Sequence, residues 1–281
     1  MKPAPLHLVR AQTLDDVWRA FADASGEAKI IAGGQSLVAL LNLRLATPHT
    51  LIDLSGIDSL RELTVSETQI SIGSMVTQRT VEHEPRLHEV LPILPRTVSH
   101  IGHPQIRSRG TIGGNLAHAD PASELPALAL LTDAILHIAG PRGARSVPAA
   151  QFFCGAYSTA IEDDEILQRI TVDGPAIARR YAVHEIARCR GAFAMAGAIG
   201  ALGPTSDDVR VAFFGLGSSP VLVDLGRAGL LKEWASPTFD DQLHAFLNNV
   251  LSPHDDFQAS ELQRRAYAVT CTRKVLHELF R

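Results

Sequence analysis

The sequence has few cysteines and no long run of one charge, and both shortages exclude classes of protein. Cys154, Cys189 and Cys271 are the only cysteines in 281 residues, and they form no CxxC or Cys/His ligand spacing. We therefore expect reduced thiols and no metal or iron–sulfur cluster on this chain. The formal net charge is −4, and no lysine or arginine run resembles a nucleic-acid patch. A protein with this charge pattern is not expected to bind nucleic acid.

Long apolar runs are also missing. No stretch approaches the roughly eighteen residues that a membrane span requires, and the N-terminal residues show no signal-peptide pattern. We therefore expect a cytoplasmic protein with no membrane span. With 46% hydrophobic and 20% charged residues, the chain has the composition of a globular protein large enough for two packed units.

The periodicity of apolar residues predicts mixed strands and helices without internal repeats. Thr13 and Asp16 form a capping-box pattern at the start of one helix, and Pro92 and Pro95 predict a break in another. The last helix carries apolar residues at Leu262, Ala266, Val269, Val275 and Leu279. Strands are predicted at 6–10, 29–31, 51–54, 63–65, 69–72, 134–139, 165–172, 193–202 and 209–216, and helices at 13–24, 37–41, 77–83, 87–101, 121–132 and 259–279.

Two glycine-centred motifs dominate the chain, and we interpret both as loops that precede helices. They are Ala32-Gly33-Gly34-Gln35-Ser36 and Thr111-Ile112-Gly113-Gly114-Asn115. Glycine lets backbone N–H groups approach a pyrophosphate, and a following helix adds free N–H groups and a favourable dipole. Neither motif matches the G-x-G-x-x-G or G-x-x-x-x-G-K-[ST] fingerprint. Taken singly, each glycine pair is more typical of a simple turn than of an anion site.

Together with a longer segment, the motifs carry a family resemblance. Ile101, the run from Pro104 to Asn115 and the run Leu116 to Ala127 closely resemble the FAD-binding medium subunit of molybdenum hydroxylases. That family includes carbon monoxide dehydrogenase, nicotine and quinoline dehydrogenases, and the flavin region of xanthine dehydrogenase. Further matches are Phe152 to Gly155 with Thr159, Asp164 to Leu167, and Val211 to Pro220.

The resemblance implies an α+β (mixed α/β) chain with a two-subdomain FAD-binding fold of the vanillyl-alcohol oxidase type, followed by a small α/β C-terminal domain. The implied FAD-binding domain covers residues 1–175, with subdomains at about 1–55 and 56–175, and the C-terminal domain covers 176–281. The implied FAD contacts are Ile30, Ile31, Ala32, Gly33, Gly34, Gln35, Ser36, Leu37, Ile101, Thr111, Ile112, Gly113, Gly114, Asn115, His118, Glu124 and Leu167.

Several polar residues near these contacts have two interpretations. His118 and Asp120 either border the flavin or hold their own loop in shape. Glu124 either accepts hydrogen bonds from cofactor hydroxyls or caps its helix. Tyr157 either approaches the isoalloxazine ring or is a core aromatic residue. Arg107 and Arg109 either attract phosphates or a partner, or are solvated at the surface.

One segment departs from the family pattern. Relatives commonly carry a Gly-Asp pair before an aromatic residue where this chain has Gly191, Ala192 and Phe193. Glu185 stands where many relatives have lysine. The departure puts in doubt any polar flavin contact from this segment. It would also alter the reduction potential of the flavin or the choice of electron acceptor.

The function implied by the resemblance is electron relay. A large molybdenum subunit would oxidise the substrate, a small subunit with two [2Fe-2S] clusters would pass electrons to the FAD of this chain, and an external acceptor would remove them. No catalytic residue is then needed on this chain, because the chemistry belongs to the cofactor. We expect a dimer of heterotrimers. The alternatives are a stand-alone flavin-dependent oxidase or dehydrogenase, and a flavin-binding module without turnover.

Overall fold

The computed structural model describes residues 2–24, 26–236 and 238–281. This part of the chain forms short strands and helices that alternate irregularly. The strands are β1 His7–Arg10, β2 Ala28–Ile31, β3 Thr50–Asp53, β4 Leu63–Val65, β5 Gln69–Gly73, β6 Ile135–Gly140, β7 Gly143–Pro148, β8 Phe153–Gly155, β9 Ser158–Thr159, β10 Ile166–Asp173, β11 Arg180–Ala187, β12 Ala194–Leu202, β13 Val209–Phe214 and β14 Val221–Asp224. The helices are α1 Leu14–Asp23, α2 Leu37–Asn42, α3 Gln78–His83, α4 Pro85–Val90, α5 Ile93–Val98, α6 Pro104–Arg107, α7 Ile112–His118, α8 Glu124–Leu131, α9 Ala149–Phe152, α10 Gly174–Ile177, α11 Phe239–Val250 and α12 Glu261–Leu279.

The N-terminal sheet is parallel, with strand order β1-β3-β2. Helix α1 begins at the predicted capping box, which is confirmed: the Thr13 side chain accepts from the N–H of Asp16, and the Asp16 carboxylate accepts from the N–H of Thr13. Strand β2 ends at Ile31 and delivers the first glycine motif to the carboxyl edge of the sheet. Parallel sheets commonly bind ligands at that edge.

The middle sheet is antiparallel, with strand order β4-β5-β10-β6-β7. The predicted hairpin is confirmed as β4 and β5, and the predicted break by prolines is confirmed because α4 ends at Val90 and α5 begins at Ile93. Pro95 lies in the first turn of α5, where its missing N–H has no intrahelical partner. Strand β7 was not predicted, because it is an exposed edge strand in which only Val147 is buried.

The C-terminal sheet is antiparallel, with strand order β11-β12-β13-β14. Strand β12 is buried along nearly its whole length, since helix α12 packs on one face and α8 on the other. Its small residues allow this approach: a Cβ at Gly200 would overlap the Val275 side chain of α12. A strand covered on both faces has no apolar/polar alternation, which explains its continuous apolar sequence.

The predicted apolar face of the last helix is only partly correct. Val275 and Leu279 are buried, but Leu262 is 74% exposed and Ala266 is exposed as well. Arg264 takes the inward position there. Its guanidinium donates to the carbonyl oxygens of Met195 and Gly215, which are backbone groups of the sheet end.

The interpretation of the second glycine motif as a loop is wrong. Thr111 is the N-cap of α7, and Gly113 and Gly114 lie in the first turn of that helix. Glycine disfavours helix by about 1 kcal/mol relative to alanine, so sequence propensity alone does not predict this turn. Tertiary contacts stabilise it, because the N–H groups of Ile112 and Gly113 donate to the carbonyls of Val76 and Ser74 at 2.9 Å.

The largest hydrophobic core joins the middle and C-terminal sheets. Val98 of α5 and Leu128 of α8 belong to the same buried cluster as Val183 of β11 and Phe214 of β13. A second cluster lies between α12, α11 and the C-terminal sheet, and a third lies under the N-terminal sheet. The described helices include none that is both long and apolar enough to cross a bilayer.

Candidate functional site

The first glycine motif presents a row of free backbone donors. The N–H groups of Gly33, Gly34, Gln35, Ser36 and Leu37 donate to no acceptor among the described residues. These five groups bridge the end of β2 and the start of α2, whose N-cap Ser36 has no side-chain capping bond. Consecutive unpaired amides at the carboxyl edge of a parallel sheet are suited to binding an anion such as a pyrophosphate.

Two local features hold this motif in shape. Gly34 has φ +72°, a conformation that disfavours a side chain, and it packs beneath Val38 and Ile31. The Gln35 side chain donates to the carbonyl oxygen of Gly33 at 3.1 Å. The loop is therefore fixed by the chain itself, with its amides left available.

The second glycine motif has no equivalent row of free amides. In the first turn of α7 the N–H groups of Ile112, Gly113 and Gly114 donate to Val76, to Ser74 and to the Thr111 hydroxyl. Our expectation that its backbone surrounds an anion as the first motif does is not supported by these bonds. Asn115 accepts from the Ser123 hydroxyl at 2.7 Å through Oδ1, which fixes its side chain towards α8.

The two motifs nevertheless meet. A Cβ on Gly33 would overlap the carbonyl oxygen of Arg109, and a Cβ on Gly114 would lie 3.2 Å from the Cβ of Ala32. Gly113 packs in the same way against Ser74. The glycines of the second motif thus allow α7 to pack against the first motif and the middle sheet.

His118, Asp120 and Tyr157 form one surface cluster at the end of α7. The His118 and Tyr157 rings lie 5.1 Å apart, and the Tyr157 hydroxyl donates to Asp120 at 3.3 Å. Asp120 also accepts from the N–H of Ala122, so it does hold its own loop in shape. Tyr157 is 61% exposed, and its interpretation as a core residue is wrong. Partial burial lowers the pKa of His118, which favours the neutral ring.

Glu124 is the first residue of α8 and is only 6% exposed. Burial, followed by the nearby Glu185 carboxylate, raises the pKa of Glu124 to about 8. The side chain is therefore a neutral carboxylic acid at pH 7. In that form it can donate as well as accept a hydrogen bond, whereas the carboxylate that the sequence predicts could only accept one.

The remaining predicted contacts are mostly apolar and lie in packed surroundings. Ile101 and Leu167 belong to the large core cluster, while Ile30 and Ala32 pack partly against the N-terminal cluster. Neither interpretation of Arg107 is correct. Its guanidinium is buried, bonded to Glu82 at 2.7 Å and 2.8 Å and to the carbonyls of Ile101 and Gly102. Four of the five N–H donors of Arg107 are engaged in these bonds, which tie the turn before α6 to Glu82.

A cleft between α5 and the C-terminal sheet has no signal in the sequence. His100 contacts Glu185 there, with 3.1 Å between Nδ1 and Oε1. The pair joins residues 85 positions apart, so no local pattern could indicate it. The cleft has a volume of about 420 Å³ and is lined by Ser99, His100, His184, Glu185, Ala187, Cys189, Arg190 and Gly191. Across the described ranges, no group of three His, Cys, Asp or Glu side chains is arranged to hold a metal ion.

Comparison with known proteins agrees with this architecture. The family model described as "FAD binding domain in molybdopterin dehydrogenase" matches residues 4–173. The chain is 34% identical over 238 residues to caffeine dehydrogenase subunit beta of Pseudomonas sp. strain CBB1, covering 83% of this chain and 79% of that protein.

Two solved structures show the same fold over almost the whole chain. Carbon monoxide dehydrogenase from Hydrogenophaga pseudoflava matches with a TM-score of 0.91 at 28% identity, covering 100% of this chain and 99% of that one. Quinoline 2-oxidoreductase from Pseudomonas putida 86 matches with a TM-score of 0.90 at 30% identity, covering 99% and 98%. These matches confirm the predicted mixed α+β fold. The chain belongs to the family of FAD-binding medium subunits of molybdenum hydroxylases and is an FAD-dependent oxidoreductase subunit.

Proposed function

We propose that the FAD pyrophosphate binds to the backbone amides of Gly33, Gly34, Gln35, Ser36 and Leu37. Five consecutive N–H groups without acceptors among the described residues support this assignment. Two negative charges placed there would gain hydrogen bonds that the folded chain otherwise lacks. FAD, when bound, supplies the redox chemistry, and this chain supplies its position and electrostatic surroundings.

We further propose that the remaining residues implied by the family resemblance contact the parts of FAD other than its pyrophosphate. The entrance to the loop would be lined by Ile30, Ile31 and Ala32. Helix α7 would be brought against the loop by its N-terminal residues, which are Thr111, Ile112, Gly113, Gly114 and Asn115. The neutral carboxylic acid of Glu124 would bond a ribityl or ribose hydroxyl. Ile101 and Leu167 would offer apolar contact to the ring system, with His118 near its edge. The contact between Gly33 and Arg109 supports placing both motifs at one ligand.

The chain functions as an electron relay in a larger complex. Electrons come from [2Fe-2S] clusters on a small subunit, and substrate oxidation takes place at a molybdenum cofactor on a large subunit. We propose that the complex is a dimer of heterotrimers in the cytoplasm. The three cysteines, all free, are compatible with a reducing compartment.

We also propose domain boundaries that follow the sheets. The parallel sheet lies within residues 1–55, the five-stranded sheet within 56–175, and the C-terminal sheet with α11 and α12 within 176–281. The core shared by α8, β12 and β13 would then make the last boundary a packed interface.

Purification of a tagged chain from its native host tests the relay assignment. We expect large and small subunits to copurify, with flavin, molybdenum and iron in the preparation and with FAD on this chain. A chain that purifies alone with flavin and oxidises a substrate would contradict the relay and favour a stand-alone oxidase. A chain that binds FAD but is not reduced by the partner subunits would favour a binding module without turnover.

A further inference from the structure

A buried arginine on α12 ties together the ends of two neighbouring strands. The Arg264 side chain is 6% exposed, and one terminal nitrogen of its guanidinium donates to the carbonyl oxygens of Met195 near the start of β12 and Gly215 just after β13, the latter at 2.9 Å. The other terminal nitrogen donates to the Asp256 carboxylate at 2.6 Å. The planar guanidinium thus pairs its charge with Asp256 and supplies a donor to two carbonyl groups at the end of the sheet.

Gly215 connects this arginine to the loop between α7 and α8. Its carbonyl oxygen accepts from Arg264, and its N–H donates to the carbonyl oxygen of Pro121 at 2.8 Å. Gly215 has φ +71°, and a Cβ there would lie 3.0 Å from the Ala194 carbonyl oxygen. A side chain is therefore disfavoured, and the backbone conformation that directs both groups to their partners depends on glycine.

That loop leads directly into residues that we assign to FAD. Pro121 lies three positions after His118 and three positions before Glu124, and both are among the proposed contacts beyond the pyrophosphate. Glu124 is the first residue of α8 and is only 6% exposed, so its packed side chain has little freedom to correct a displaced backbone. The position of Pro121 therefore affects how both side chains meet the cofactor.

Two kinds of hydrogen bond act on the loop between α7 and α8. Within this segment, the N–H of Ala122 donates to the Asp120 carboxylate at 2.9 Å, and the Ser123 hydroxyl donates to Asn115 at 2.7 Å. These bonds preserve the internal shape of the segment. The bond from Gly215 comes from the C-terminal sheet, so it fixes where that shape lies relative to the sheet.

We propose that Arg264 is a positioning residue for the flavin site, because by holding Gly215 it places Pro121 and the two FAD contacts on either side of it. The inference rests on the proposed FAD function. The amides assigned to the pyrophosphate lie instead at the edge of the N-terminal sheet, in a loop fixed by its own bond between Gln35 and Gly33. Loss of the Arg264 bonds should therefore weaken contacts to the rest of FAD and spare those to the pyrophosphate.

Arg264→Lys tests this role, because lysine keeps the positive charge beside Asp256 but replaces the planar fork by a single nitrogen. Calorimetry on the flavin-free full chain gives the dissociation constants of FAD and ADP. We expect that of FAD to rise about tenfold, the change that loss of one hydrogen bond produces, and that of ADP to stay unchanged. A general disturbance of the fold would weaken both ligands alike, so the difference between them separates positioning from a merely structural role.

Gly215→Ala disturbs the same peptide group from the other side and should show the same difference between FAD and ADP. Two matched controls leave the bond between Gly215 and Pro121 intact. Arg265→Lys changes the neighbouring arginine, which pairs with Glu261 on the same helix. Gly229→Ala introduces a side chain at the same φ of +71°, where a Cβ meets nothing within 4 Å. Both controls should bind FAD as wild type does.

The outcomes distinguish the two proposals. Wild-type FAD affinity in Arg264→Lys and Gly215→Ala would overturn the positioning role and leave the FAD function intact. Equal losses of affinity for FAD and ADP would also overturn it. If Arg264→Lys yields no folded protein, Gly215→Ala alone decides between these results. A wild-type chain that binds no FAD would overturn both proposals.

Discussion

Gly33 lies directly against the backbone carbonyl of Arg109, so the two glycine motifs are in contact although they are almost eighty residues apart in the chain. Helix α7 of the second motif packs against the first motif, because a Cβ on Gly114 would lie 3.2 Å from the Cβ of Ala32. The glycines of the second motif matter for packing, since their own N–H groups are engaged within the chain.

Substitution of these glycines should separate the motifs. In Gly33→Ala the new Cβ overlaps the Arg109 carbonyl, and in Gly113→Ala it overlaps Ser74, so each variant should lose about 1–3 kcal/mol of stability. We expect purified variants to retain much less FAD, measured as flavin absorbance per chain. Gly155→Ala is the control, because a Cβ there meets nothing within 4 Å. Wild-type flavin content in both variants would contradict the packing account.

The Arg107–Glu82 pair should be a major source of stability for the turn that precedes α6. Arg107→Met leaves the partly buried Glu82 carboxylate without its partner and should cost about 3 kcal/mol, measured by urea unfolding. Arg142→Met breaks the exposed contacts with Glu162 and Asp164 and should leave the unfolding midpoint unchanged. Equal effects of the two variants would show that burial of Arg107 has no energetic consequence.

The buried Glu124 should make the stability of the chain depend on pH. Its pKa is about 8 in the folded chain and 4.5 in the reference state, so between these values the unfolded chain releases a proton that the folded chain keeps. Wild-type stability should therefore fall by up to about 1.4 kcal/mol per pH unit from pH 5 to 8 and then level off. Glu124→Gln should lack this slope in urea unfolding of the flavin-free chain. Parallel pH profiles of the two proteins would contradict the buried neutral acid.

The three thiols should differ in reactivity. Cys154 and Cys189 are exposed, whereas Cys271 is buried and burial raises its pKa to about 12. A disulfide reagent at pH 8 should therefore label two thiols per native chain and a third only after denaturation. Cys271→Ser should leave the native count at two. Three thiols labelled rapidly in the native wild type would contradict the packing of α12 on β12.

Local sequence patterns were sufficient for elements with their own signals. The capping box at Thr13, the hairpin formed by β4 and β5 and the helix break near Pro92 need no distant contact, and all three are present. Edge strand β7 lacks such a signal, since only Val147 of its six residues is buried and its sequence shows no apolar/polar alternation.

The features that local sequence patterns do not predict depend on contacts between residues that are far apart in the chain. The first turn of α7 depends on carbonyls of Ser74 and Val76, and the buried face of α12 includes Arg264 because Met195 and Gly215 offer carbonyl oxygens. At the site, the first motif was identifiable from its glycines. The neutral state of Glu124 results from burial of its side chain in the folded chain and from the nearby Glu185 carboxylate, and no local sequence pattern indicates either.

We expect the amides of residues 33–37 to bind the cofactor pyrophosphate, and an NMR titration of the labelled, flavin-free chain detects this binding as shifts of their backbone amide signals. FAD and ADP, which share the pyrophosphate, should both shift the amide signals of Gly33, Gly34, Gln35, Ser36 and Leu37, while riboflavin should leave them in place. If saturating FAD shifts signals elsewhere but leaves these five in place, the pyrophosphate does not bind to residues 33–37.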